Sequence, residues 1–126
     1  MGRYVVLKRL QPTPVKAGVA ETVAYYSGRG VLKYAIFTGT SSHLALQLVI
    51  DDDVETFPSI EDLYSLNATS MNNRLWVPVY SAGEYCCEFL METEFEENVE
   101  VRVKNAGGSD CTLTNALVIV WMEGGG

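Results

Sequence analysis

Residues 99–104 are Val-Glu-Val-Arg-Val-Lys (VEVRVK), a stretch with an unbroken strand signature. Apolar and charged side chains alternate with a period of two, which puts one face of a strand in a core and the other in water. Leu44, Leu46, Leu48 and Ile50 form a second face of the same kind. On either side of these two stretches nearly every segment reads as strand: Arg3–Lys8, Val19–Tyr26, Val31–Thr38, His43–Ile50, Leu75–Tyr80, Tyr85–Thr93, Val99–Lys104 and Thr112–Glu123. These runs are rich in Val, Ile, Tyr, Phe and Thr, and turn formers such as Gly28-Arg29-Gly30, Asp51-Asp52-Asp53 and Asn105-Ala106-Gly107-Gly108 separate them.

About eight short strands with no alternation of strand and helix predict an all-β chain. The expected architecture is a single antiparallel β-sandwich, jelly-roll-like in its wiring, with at most one short helix near 59–66. Ser59 is placed to cap that helix, with acids in its first turn. The 126 residues fit one domain over 1–126, with an N-terminal strand or arm over 1–16 and a frayed tail at 124–126.

Two strands carry more apolar surface than a sandwich needs. Ala116–Met122 and Val31–Phe37 are apolar on both faces, whereas a two-layer sandwich covers one face of each sheet. Either a subunit interface or the Thr56–Asn73 segment must cover the second face, and the interface is preferred. Its candidate residues are Tyr34, Ile36, Leu117, Ile119 and Trp121.

With 48% hydrophobic residues the chain can bury a core, and no apolar run reaches the length of a membrane helix or has the form of a secretory signal. A net charge of −7 supplies no cationic face for nucleic acid. The basic, proline-bearing stretch Gly2–Lys16 stands apart, either as an arm reaching an acidic neighbour or as an edge strand. Cys86, Cys87 and Cys111 read as buried free thiols, with a bridge from Cys111 to one of the pair as the other option.

Gly28-Arg29-Gly30 lacks the third glycine, the lysine and the following helix of a phosphate-binding loop, so it reads as a turn. His43 beside Ser41 and Ser42, with an acid from Asp51–Asp53, lacks the glycine pattern of a nucleophile elbow. Asp51–Asp53 with Glu55, and Glu92, Glu94, Glu96 and Glu97, offer oxygen ligands for calcium without EF-hand spacing. Trp76 and Tyr80 are the candidate glycan contacts of an alternative carbohydrate- or receptor-binding module, and Asn67-Ala68-Thr69 is an acceptor sequon. No catalytic residue, cofactor site or metal site is expected.

Ser27-Gly28-Arg29-Gly30-Val31-Leu32, then Ile36, a Thr/Ser-rich turn and Leu48-Val49-Ile50-Asp51 resemble small β-sandwich structural proteins of tailed bacteriophages and archaeal viruses. Phe95, Val99-Glu100-Val101-Arg102-Val103-Lys104-Asn105 and a closing apolar strand resemble the second half of that pattern. The chain departs from it where Asp52 and Asp53 stand in place of a turn glycine. The resemblance implies a jelly-roll-like fold and a non-enzymatic role as a capsid, decoration, turret or tail-associated subunit. It also implies symmetric homo-oligomers, trimer or pentamer among them, docked on other virion proteins, and localisation in the virion after synthesis in the host cytoplasm.

Overall fold

The alternating stretch forms a strand at the centre of the smaller of two antiparallel sheets. The computed structural model describes residues 2–9, 11–66 and 75–123. Its elements are β1 (Arg3–Arg9), β2 (Thr13–Val15), β3 (Ala20–Ser27), β4 (Gly30–Gly39), β5 (Leu44–Ile50), β6 (Asp53–Ser59), α1 (Ile60–Ser65), β7 (Leu75–Ser81), β8 (Glu84–Phe89), β9 (Thr93–Phe95), β10 (Asn98–Asn105) and β11 (Cys111–Met122). The larger sheet has seven strands, in the order β1-β11-β4-β8-β7 with β2 on β11 and β9 on β4; the smaller has four, β3-β10-β5-β6.

The pairings are nested. β1 pairs with β11, β3 with β10, β4 with β8 and β9, and β5 with β6. A long hairpin rolled up on itself gives this pattern, and two Greek keys in two sheets define the jelly roll. All eight strands read from the sequence are present. The structure adds β2, β6 and β9 to them, making eleven among the described residues, and the run read as Tyr85–Thr93 ends as a strand at Phe89. β6 escaped sequence reading because Asp51-Asp52-Asp53 looks like a loop and Pro58 interrupts the run. It is an edge strand, where proline costs no ladder bond.

Both sheets bury one face in a shared core. β4 contributes Leu32, Ala35 and Phe37, β8 contributes Phe89, and β11 contributes Val118 and Val120. Facing them are Leu44, Leu46 and Leu48 from β5 and Val99, Val101 and Val103 from β10. Each of the Val, Leu and Phe side chains contributes roughly 1.5–3 kcal/mol when fully buried, and Ala35 less. Leu32 and Ala35 are three residues apart, which a regular strand would send to opposite faces. A register shift opposite Ile119/Val120 leaves Lys33 as the extra residue and keeps both in the core. α1 packs on β6, β7 and β8 and adds Ile60 and Leu63 to that core. Ser59 caps it as expected, its hydroxyl accepting the Asp62 N–H at 3.3 Å.

Two alternatives left open by the sequence are narrowed. Of the arm and the edge strand offered for Gly2–Lys16, the structure shows the edge strand: β1 pairs along its whole length with β11, and β2 pairs with the start of β11. The described part of the Thr56–Asn73 segment joins β6 and α1 at the side of the sandwich, with Ile60 and Leu63 turned inward, so it is not the cover for Leu117, Ile119 and Trp121. Asn67 and the 124–126 tail lie outside the described residues.

Candidate functional site

The two outward faces of the sandwich differ in chemistry. On the smaller sheet, a hydrogen-bonded ladder crosses all four strands. Thr22 donates to Glu100, and Glu100 takes Arg102 in a two-pronged pair at 2.9 and 3.0 Å. Arg102 reaches Gln47 at 3.2 Å, and Gln47 reaches Thr56 at 2.7 Å. The Arg102 bond, chiefly, holds the Glu100 carboxyl below its usual range. Every polar group in this ladder has a partner within the chain.

The outer face of the larger sheet is apolar instead. Strand register arranges it in cross-strand rows. Lys8, Leu117, Ile36, Glu88 and Trp76 make one row over β1, β11, β4, β8 and β7. Val6, Ile119 and Tyr34 make the next, and Tyr4, Trp121, Val31 and Glu94 the third. The five interface candidates, Tyr34, Ile36, Leu117, Ile119 and Trp121, thus share one continuous face, each half-buried. β1 extends it with Tyr4 and Val6, which are 62% and 52% exposed. Sequence reading missed these two because Arg3–Lys8, though read as a strand, carries no signal that places it beside β11.

The Tyr4 and Trp121 rings meet in a T-shaped contact at 4.7 Å between ring centres, and a side chain at Gly2 would collide with the indole. At the Lys8 end a groove of about 400 Å³ runs between Ile36, Thr38, Asn115 and Leu117. A carboxylate sits within this surface. Glu88 accepts from the Tyr34 hydroxyl and from the Trp76 indole N–H. Burial first, then the bond and charge of Glu88, hold the Tyr34 phenol far above its usual ionisation range.

The glycan pair is not brought together. Trp76 lies on the outer face beside Glu88, whereas a register shift between Trp76 and Val79 turns Tyr80 the other way. Tyr80 stacks on Tyr64 of α1 at 4.0 Å and meets the edge of Tyr85.

The remaining candidates have local structural partners. Arg29, inside the Gly-x-Gly turn, pairs with Glu96 and Glu123, each at 3.3 Å. His43 pairs with Glu61 at 3.1 Å rather than with an aspartate, and Asp51–Asp53 stand at the opposite end of β5. The Ser41 hydroxyl accepts the His43 backbone N–H. Asp51 accepts backbone N–H groups from Glu96, Glu97 and Asn98, which holds its carboxyl below the usual range. Among the described residues, no three His, Cys, Asp or Glu side chains gather as a metal site, and no helix is long and apolar enough to cross a membrane. Cys86, Cys87 and Cys111 are free thiols.

The nested strand pairing and the unlike faces define the class, an all-β jelly-roll domain with one apolar outer sheet face. No family model matches the chain, and no curated protein matches it. Among solved structures it is similar to one described as "Crystal Structure of FLHE", at 10% sequence identity, with 96% of each chain covered and a TM-score of 0.44.

Proposed function

We propose that this protein is a non-enzymatic structural subunit of a virus particle, assembling with itself and docking on other coat subunits. The observation that carries the reading is the outer face of the larger sheet, where Tyr4, Val6, Ile36, Leu117, Ile119 and Trp121 form one apolar surface. The other outer face is bridged by a closed polar ladder with Tyr25 and Val54 exposed beside it, whereas the first joins six apolar side chains over three adjacent strands, which favours it as the contact surface. The jelly-roll wiring agrees with the resemblance carried by the turn and strand motifs. A rigid sandwich acts here by burying a face against symmetry mates and neighbours. The carbohydrate-binding alternative keeps no shared aromatic platform, because Trp76 and Tyr80 lie on opposite sides of β7.

Quantitative mass spectrometry of isolated particles tests this function. The chain is expected in a fixed, symmetry-compatible ratio to the major coat protein. Its absence from particles, or a ratio that varies with washing, would overturn the reading.

A further inference from the structure

Two charged groups of opposite sign stand in one row of the apolar face. Lys8, exposed on β1, has no ion-pair partner among the described residues. Glu88, half-buried on β8, is bound by two neutral donors, Trp76 and Tyr34, and no cation reaches it among the described residues. A carboxylate offers about four lone-pair sites, so two hydrogen bonds leave room for an ammonium. Three strand spacings, roughly 14 Å, separate the two positions, too far for them to pair within the chain. Between them lie only Leu117 and Ile36.

The geometry points to a second copy of this chain as the occupant of the face, related by a twofold axis parallel to the strands between β11 and β4. That axis lays β1 of one copy over β8 of the other. Lys8 then meets Glu88 twice, once in each direction, and Leu117 meets Ile36 twice. Ile119 falls against Tyr34, and Trp121 against Val31. Such reciprocity is what an isologous interface requires, and the face supplies it from a single row pattern. Each carboxylate buried by the contact gains its cation, which offsets the cost of removing it from water. The axis leaves β7 outside the contact, so four facing strands at about 4.8 Å and seven residues at about 3.4 Å make a face of roughly 19 by 24 Å. That is on the order of 450 Å² a side, the size of a small, reversible interface rather than the roughly 800 Å² per partner of a standard one.

This inference rests on the reading that the face mediates self-association, and its test separates the two. Equal amounts of isotopically light and heavy full-length protein are mixed and treated with a zero-length carbodiimide, which joins only ammonium and carboxylate groups already in contact. A light–heavy peptide joining Lys8 to Glu88 is expected. In parallel, sedimentation measures the dissociation constant of Lys8→Met, of Glu88→Gln and of the double variant. The Gln carbonyl still accepts from Trp76 while its amide N–H donates to the Tyr34 hydroxyl oxygen, and near-ultraviolet circular dichroism checks that each variant is folded. Each single change should weaken association roughly tenfold, and the double change no further than the weaker single, since both remove the same pair. An assembly with no Lys8–Glu88 cross-link, or with additive or absent effects, overturns this geometry and leaves self-association standing. A wild-type chain that stays monomeric at all concentrations overturns both.

Discussion

The hydroxyl of Tyr34 on β4 donates to the carboxylate of Glu88 on β8, within the apolar outer face of the larger sheet. Burial, then this bond, raises the tyrosine's ionisation above its usual value of 10.0. A group whose ionisation is raised by folding stabilises the fold below its unfolded value and loses that contribution as pH climbs through the folded one. Stability should therefore hold up to about pH 10 and fall above it, as followed by tyrosinate absorbance and thermal melting. In Tyr34→Phe the alkaline loss should shrink, at a cost of about 1 kcal/mol at neutral pH.

The turn at Asp51-Asp52 gives a second expectation. Both residues have left-handed backbones, with φ of 49° and 72°, in the two-residue connection between β5 and β6. Two positive φ values are what a tight hairpin of this twist needs, and glycine adopts them without strain. Asp52→Gly should raise stability by up to about 1 kcal/mol. Asp51→Ala should lower the melting temperature, because three backbone N–H groups lose their acceptor. The depressed carboxyl works in the opposite pH sense to Tyr34. Its contribution is complete above the usual aspartate range and is lost as pH falls through the lower folded value.

Gly30 is a third test. A side chain there would collide with the backbone carbonyl of Trp121 on the neighbouring strand, and would stand 2.9 Å from the Phe95 ring. Gly30→Ala should cost roughly 1–3 kcal/mol in a denaturant titration. Arg29→Ala, which removes only exposed ion pairs to Glu96 and Glu123, should cost under about 1 kcal/mol.

The cysteines should differ in reactivity. Burial, then the charges of Glu88 and Glu84, pushes Cys86 up to about 11, and burial raises Cys87 as well. Cys111 is only half-buried. With a thiol reagent at neutral pH, Cys111 should react first, and Cys86 and Cys87 only at the rate of opening. Simultaneous labelling of all three would show that β8 is not packed as described.

The fold was largely legible because alternation is a local signal. Val99–Lys104 announces a strand with one wet face, and that strand is β10. Apolar residues on both faces of Ala116–Met122 announce a strand with something to hide on each side, and that strand is β11. What stayed hidden depends on distant partners. β6 could not be read from Asp53–Ser59, since its acids and proline belong equally to a loop until β5 is beside it. Tyr4 and Val6 could not be assigned to the contact face until β1 was seen against β11. Trp76 and Tyr80, the candidate glycan contacts of the alternative reading, are separated by a register shift that nothing in the sequence marks.

Inward and outward residues on β11 should behave differently when changed. Val118 is buried in the core and Ile119 faces outward beside Val6 and Tyr34. Light scattering on concentrated wild-type protein and on Ile119→Lys is the most direct measurement. The wild type should have a mass that is a multiple of 13.9 kDa. Ile119→Lys should fall to a single chain and keep a cooperative melt. A wild type of 13.9 kDa at every concentration, with Ile119→Lys no different, would contradict assembly through this face.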